Sequence, residues 1–345
     1  MRRSAVLALS VALAVLPGTL GAAFEAPPEA SPSGDVPEGS EVLFRLTDPR
    51  IRESSGLAAS RLHEGIYWTH NDSGDYGAEV YAVDEDGETL ATVTLTGPGV
   101  EARDWEAVSV GVDDNGDPAV FVGDIGDNFQ GGWPNVRAYR FPEPRQLTDQ
   151  TIEATTFTFT YEDGGRDAEA MMVDPRDGRL YVISKEVAGG VYAAPKTLDP
   201  EGPNTLTRID SAPLYATDAA FSPDGSHYAI RTYWGATVYD AAEGVRGRSV
   251  DQVSLPESDQ GESLAYSHDG TALLAGTEGE QSPVWRIPLP DSATGQAEES
   301  PDAGEESAAT EQETDRAGGA SALIWTGAAL AALMIAAIVL LVRKT

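Results

Sequence analysis

Five short acidic motifs recur along the chain, each followed by an alternating apolar strand, a turn and a second apolar strand. The motifs are Glu53-Ser-Ser-Gly-Leu, Asp104-Trp-Glu106-Ala-Val, Asp167-Ala-Glu169-Ala-Met, Thr217-Asp218-Ala-Ala-Phe and Gly261-Glu262-Ser-Leu-Ala. Repetition of one small β unit at intervals of several tens of residues is typical of radially repeated sheets. The pattern predicts an all-β fold, a β-propeller of five blades, with six blades as the alternative.

The last repeat supplies only three strands before the composition changes after Pro290. Residues 41–47, just ahead of the first motif, form an alternating apolar stretch that suits an outer strand. A strand from the N-terminal side would complete the last blade and remove exposed sheet edges. We therefore expect residues 41–290 to form one propeller domain closed by an N-terminal strand.

The N-terminal segment has the order of a secretory signal peptide, with basic residues first, then an apolar run, then small residues. This order predicts a signal peptide over residues 1–23. Residues 24–40, rich in Pro, Ser and Glu, are expected to be a flexible leader.

The C-terminal segment predicts a membrane anchor. Residues 291–320 are acidic with few large apolar side chains, which is typical of an extended stalk. Residues 321–342 carry no charge over a length that can cross a bilayer as a helix. Residues 343–345 begin with Arg-Lys and would form a cytoplasmic tail. We expect a single-pass protein of the cell membrane with its propeller on the extracellular side.

The formal net charge of −33 makes nucleic acid an unsuitable partner, because phosphates would be repelled. An acidic surface suits cations, basic partners or a salty habitat. The chain has no Cys, so a large core or bound ions must stabilise the exported domain without disulfides.

Antiparallel pairing brings the start of the first strand of a blade and the loop after its second strand to the same end of the sheet. The motif acids should therefore meet the loops that contain Asn71-Asp72, Asp124 to Asn128, Lys185-Glu186, Tyr233-Trp234 and Glu278. The sequence predicts one densely polar face at this end.

Several carboxylates on one face must be protonated, paired with a cationic side chain, or bound to a metal ion. Calcium accepts carboxylate and amide oxygens in loose geometry, so Ca²⁺ or another divalent cation is the expected cofactor. The candidate metal ligands are Glu53, Glu106, Glu169, Asp218, Glu262, Asn71, Asp72, Asp124, Asp127 and Asn128. The alternative is that the Asn and Asp residues make tight turns and that Lys185 or Arg231 neutralises the ring.

Candidates for nucleophilic catalysis are poor, because the chain lacks both Cys and a Gly-x-Ser-x-Gly motif. Hydrolysis would instead use a metal-bound water with Glu106 or Glu169 as base, while Lys185 and Arg231 hold an anionic substrate. Lys185 and Arg231 can equally be counter-ions to the acidic ring. Tyr233 and Trp234 are candidates for ligand contact, whereas Trp105 is expected to pack between blades.

The motifs Glu-Ser-Ser-Gly-Leu, Asp-Trp-Glu-Ala, Gly-Asp-Ile-Gly-Asp-Asn and Asp-Ala-Glu-Ala together resemble an exported bacterial propeller family. That family is related to phytase-like esterases and to gluconolactonase and regucalcin propellers. The resemblance covers about residues 41–290. It implies a divalent ion at the channel mouth, held by a Glu near an inner strand, a role that Glu53, Glu106, Glu169 or Glu262 would match. The blade number and the membrane anchor depart from the family pattern.

Three functions are compatible with these observations. The first is a surface-tethered module whose cation-binding acidic face recognises an extracellular ligand or protein. The second is a metal-dependent extracellular hydrolase of phosphoesters, esters or lactones. The third is a structural spacer of the envelope with a silent face.

Overall fold

The structure, a computed structural model, describes residues 36–72, 76–129, 131–258 and 260–294. Within these ranges the chain forms β-strands and one short 3₁₀ turn, Asp291–Ala293, with no α-helix. The predicted all-β class is confirmed. Ala293 is buried against the last strands, so ordered packing extends slightly past residue 290.

The strands form five sequential groups, which we number one to five. Group one contains β2 (Ser54–Ala59), β3 (Ile66–Asn71), β4 (Glu79–Asp84) and β5 (Thr89–Thr96). Group two contains β6 (Trp105–Val112), β7 (Pro118–Asp124), β8 (Val136–Pro142) and β10 (Thr155–Tyr161). Group three contains β11 (Ala168–Val173), β12 (Leu180–Ser184), β13 (Gly190–Ala193) and β14 (Pro203–Ser211).

Group four contains β15 (Ala216–Phe221), β16 (His227–Thr232), β17 (Gly235–Asp240) and β18 (Ser249–Val253). Group five contains β19 (Leu264–Tyr266), β20 (Ala272–Ala275), β21 (Pro283–Pro288) and, as its outer strand, β1 (Glu41–Arg45). β1 pairs antiparallel with β21, the position that the sequence predicts for an N-terminal strand.

Neighbouring strands within each group run antiparallel and follow chain order, except that β1 completes group five beside β21. Two parallel contacts join the groups at their outer strands. β10 pairs with β14, which links groups two and three, and β9 (Gln150–Glu153) leaves group two to pair with β5 of group one. The sequence pattern did not predict β9.

The core consists of five apolar layers, one between each pair of consecutive groups, including groups five and one. Trp68 and Trp105 are buried in the layer between groups one and two, so the expected packing of Trp105 is confirmed. Phe44 of β1 and Tyr67 of β3 meet in the layer between groups five and one, with ring centroids 5.5 Å apart. The five layers therefore form a closed cycle, because the last group packs against the first.

The first strands of the groups contact one another in the cyclic order β2, β6, β11, β15, β19 and back to β2. A cavity of about 290 Å³ is lined by residues from the C-terminal halves of all five, among them Ala58, Ser109, Val173, Ala220 and Tyr266. The five first strands therefore point in one direction, and their N-terminal ends meet at the opposite end of the ring.

Among the described residues, no helix is long and apolar enough to cross a membrane. The predicted signal peptide, most of the predicted leader and stalk, and the predicted transmembrane segment 321–342 lie outside the described residues.

Candidate functional site

The acidic motifs lie at the end of the ring where the first strands begin, and we call this end the acidic face. The strand register places Trp105 opposite Asp124 and Ala168 opposite Ser184, so each motif adjoins the loop after the second strand. The predicted meeting of motif acids and loops is therefore observed.

Two of the motif glutamates occupy β-bulges. The pairing of β6 with β7 skips Glu106, and the pairing of β11 with β12 skips Glu169. Thr217 is skipped in the same way in β15. A bulge re-aims the side chain of its extra residue, and here it turns Glu106 and Glu169 toward the same mouth, where their charges interact.

Asp72, Asp104 and Glu106 form a compact carboxylate cluster, with one oxygen from each lying within 4.8 Å of the others. Asp104 and Glu106 are buried, while Asp72 is half-buried. The Asn128 amide donates to both oxygens of Asp104 at 3.2 and 3.3 Å. Among the described residues, these three carboxylates form a set that could hold a metal ion, and we call them the acidic triad.

Gly126 leaves the space between two members of the acidic triad open. A Cβ at this position would lie 2.5 Å from Glu106 Oε1 and 2.7 Å from Asp104 Oδ2. The Gly126 amide donates to the Asp104 carbonyl, which holds the loop against the start of β6. Any larger residue at 126 would fill the space that an ion would share with these oxygens.

The charged form of Glu106 is disfavoured in this setting. Burial raises the pKa of Glu106 well above its ordinary value, and the charges of Asp72, Glu169 and Asp104 raise it further. Ser55 donates a hydrogen bond to Glu106 at 3.3 Å, which offsets little of this cost. A bound divalent ion would lower the pKa of Glu106 again, because a nearby positive charge favours the charged form of a carboxylate ligand.

Lys185 neutralises a different part of the face by pairing with Glu169. Burial, with the nearby charge of Glu262, raises the pKa of Glu169 to about 9 despite this contact. Burial alone would lower the pKa of Lys185, but Glu169 raises it above its ordinary value. The ammonium also lies 5.1 Å from the centre of the Tyr233 ring.

Glu262 and Glu278 extend the acidic face toward group five. Glu262 accepts a 3.3 Å hydrogen bond from the Tyr233 hydroxyl, and its other oxygen is buried with no hydrogen-bond partner among the described residues. Burial and the charge of Glu262 raise the pKa of Glu278 to about 7.

Several predicted metal ligands have their polar atoms engaged within the fold. Asn71 accepts from the amides of Arg52 and Glu53. Asp124 accepts from the Asp104 amide at 2.9 Å and from the Tyr139 hydroxyl at 2.8 Å. These side chains hold the loops that position the acidic triad.

Asp127 likewise supports its own loop, accepting from the amides of Phe129 and Trp133 at 2.9 and 2.7 Å. The predicted ligand Glu53 lies beside the face, two residues ahead of Ser55, and adds charge near Glu278.

Asp218 and Arg231 lie behind the acidic face. Asp218 is fully buried and accepts from the amides of Ala219 and Leu264 at 2.8 and 2.6 Å. Arg231 donates to the carbonyls of Ser263 and Gly276 at 2.5 and 2.7 Å, and burial lowers its pKa to about 10. Both side chains therefore hold the first strand region of group five against group four through hydrogen bonds.

Asp104 and Gly126 belong to the site but were absent from the predicted ligand set. Asp104 precedes Glu106 by two residues, as Asp167 precedes Glu169 in the next motif. This spacing could have identified Asp104 from the sequence. The role of Gly126 depends on contacts between distant loops, which the sequence does not display.

Comparisons with known proteins leave the family open. No protein-family model matches the chain, and no curated protein matches it. A solved structure described as "Structure of U3-55K" is similar over 74% of this chain and 100% of that chain, with a TM-score of 0.38 and 10% sequence identity. A similarity of this size carries no argument about fold or function.

Proposed function

We propose that the five groups are the blades of a five-bladed β-propeller, and that its acidic face is a Ca²⁺-binding recognition surface. The closed cycle of first strands and the five apolar layers support the propeller. The exported, membrane-tethered arrangement is part of the proposal and rests on the terminal segments of the sequence.

The acidic triad is the observation that carries the proposed ion site. Burying two carboxylates beside a third is costly unless a cation compensates them. Lys185 is paired with Glu169, outside the acidic triad. A divalent ion in the space that Gly126 leaves open would compensate the buried charges of Asp104 and Glu106.

The ligand types favour a hard cation over a transition metal. The acidic triad offers only carboxylate oxygens, and neither His nor Cys belongs to it. Calcium accepts such oxygens together with waters, and half-buried Asp72 leaves one side accessible to solvent. Magnesium, with its stricter octahedral geometry, is expected to bind more weakly.

The surroundings favour recognition over phosphoester hydrolysis. Hydrolysis of an anionic substrate needs a cationic side chain that is available to the substrate. The two basic residues predicted for this purpose are engaged elsewhere, Lys185 with Glu169 and Arg231 with two backbone carbonyls.

Titration of the protein with CaCl₂ after removal of metal by chelator tests the proposal. Isothermal titration calorimetry should show Ca²⁺ binding to the wild type and to Asp117→Asn. That variant removes an exposed carboxylate outside the acidic triad. Asp104→Asn should weaken Ca²⁺ binding at least about tenfold, since it removes one charged ligand. Equal affinities for the two variants would contradict the assignment.

A further inference from the structure

The acidic face carries an aromatic side chain at group four, at the position where groups two and three carry an aspartate. Asp104 and Asp167 each stand two residues before a bulged glutamate. Tyr215 stands two residues before the bulged Thr217, at the corresponding point of β15. Groups two and three thus present carboxylates where group four presents a tyrosine.

Tyr215 belongs to a set of three exposed aromatic residues, which we call the aromatic platform. Tyr215, Tyr233 and Trp234 are 37%, 41% and 67% exposed. The Trp234 ring lies 6.2 Å from that of Tyr215 at an interplanar angle of 47°, and 6.3 Å from that of Tyr233 at 88°. Large apolar rings that stay exposed together on a polar face mark an interaction site.

The backbone at Tyr215 is held in a conformation that disfavours a tyrosine. Its φ of +52° lies in the left-handed region, which is costly for a bulky residue. The Tyr215 amide donates to the Glu186 carbonyl at 3.2 Å, and this bond helps to fix the turn. Such strain is retained mainly where it positions a side chain for a purpose.

The electrostatic setting of the aromatic platform suits a cation. Lys185 already lies over the Tyr233 ring at 5.1 Å, so the ring is part of a cation–π contact. The Tyr233 hydroxyl donates to Glu262, whose second carboxylate oxygen is buried and has no hydrogen-bond partner in the part of the chain that the structure describes. The large negative charge of the chain favours approach of a cationic partner.

We propose that the aromatic platform and the adjoining Glu262 bind an arginine-rich or lysine-rich segment of an extracellular protein. A guanidinium stacked on Trp234 and Tyr215 gains cation–π attraction, while the carboxylates attract the remaining charge. The proposal rests on the recognition function proposed above and names the class of its partner.

The test measures binding of a fluorescein-labelled oligoarginine peptide to the full chain in detergent, by fluorescence anisotropy in CaCl₂ and about 0.15 M NaCl. Trp234→Ala and Tyr215→Ala should each weaken binding about tenfold, while Trp234→Phe should keep most of the affinity. Phe129→Ala is the matched control, because Phe129 is a 71% exposed aromatic residue on another loop of the same face. It should bind like the wild type.

Two results would overturn the proposal. The first is an equal affinity of the wild type, Trp234→Ala and Tyr215→Ala, since binding would then be unspecific attraction to the acidic surface. The second is an equal loss in Phe129→Ala. Ca²⁺ titration of the same variants separates this inference from the ion site, because Trp234→Ala should retain Ca²⁺ binding. Loss of peptide binding only in the platform variants supports the proposal even if the wild type fails to bind Ca²⁺.

Discussion

Glu106 links the stability of the fold to the proposed ion site. It is buried among like charges, and the resulting rise in its pKa shows that the charged form is disfavoured. In chelator, Glu106→Gln should raise the free energy of unfolding by about 1–2 kcal/mol, because it removes a charge that burial disfavours. Denaturant unfolding measures this change. A destabilised Glu106→Gln protein would show that the carboxylate has a structural role instead.

Gly126 provides a steric test of the same site that leaves every charge in place. A methyl group in Gly126→Ala would lie among the oxygens of Glu106 and Asp104. The stabilisation by Ca²⁺, about 2.7 kcal/mol at a concentration a hundred times the dissociation constant, should be largely lost. In the control Gly77→Ala, the new methyl group meets only the Glu79 side chain at ordinary contact distance. Thermal melts with and without CaCl₂ distinguish the two variants, and an unchanged Ca²⁺ shift in Gly126→Ala would contradict the site.

The sequence predicted individual site residues where a repeated spacing marked them. Glu106 and Glu169 were predicted because each motif places an acid before an apolar strand, and both reach the acidic face. Asp218 appeared equivalent to them, but the register places Thr217 in the bulge and buries Asp218 behind it. Moving the bulge by one residue puts a side chain on the opposite side of the strand, and the spacing of the motifs does not show which residue occupies the bulge.

At the scale of the element, the turns between first and second strands are stabilised by repeated acidic caps. Asp269 accepts from the Ser267 hydroxyl at 2.6 Å and from the Thr271 amide at 3.0 Å. Asp224 makes the same contacts with Ser222 and Ser226. These bonds fix the β19–β20 and β15–β16 turns.

The cap at Asp269 predicts a pH dependence. The hydrogen bond from Ser267, with the Thr271 amide, lowers the pKa of Asp269 from 3.8 to about 2. The stabilisation is therefore fully present above the unfolded pKa and lost as the pH falls through about 2. Asp269→Ala should cost about 1 kcal/mol at neutral pH, and its difference from the wild type should shrink in acid. Asp86→Ala, at an exposed turn position, is the control for urea unfolding at several pH values. A difference that persists unchanged to pH values near 2 would contradict this account.

Most strands were predictable because alternation and turn residues mark them. Residues 180–184 and 272–275, two short apolar stretches that each follow a turn with Asp-Gly, form β12 and β20. β9 was missed because its four residues, Gln150–Glu153, show little apolar alternation and gain their partner, β5, from another group. Such pairing depends on tertiary contact and has little local signal.

At the scale of the whole molecule, closure by β1 makes the ring dependent on its N-terminal strand. Phe44 is buried in the layer between groups five and one. Phe44→Ala should therefore cost about 3–5 kcal/mol, although it lies near the start of the described chain. Leu90→Ala, on the outer strand β5 where the side chain is 44% exposed, should cost far less. Denaturant unfolding measures both, and similar small costs would show that the ring is stable without β1.

Diffraction can locate the divalent cation that we propose in the acidic triad. Crystals grown with MnCl₂ and with CaCl₂ provide the most direct test, because manganese gives a strong anomalous signal and also prefers oxygen ligands. We predict an anomalous peak between the carboxylates of Asp72, Asp104 and Glu106, with calcium at about 2.3–2.6 Å from its oxygen ligands. Ordered density for the three side chains with no ion between them would contradict the account.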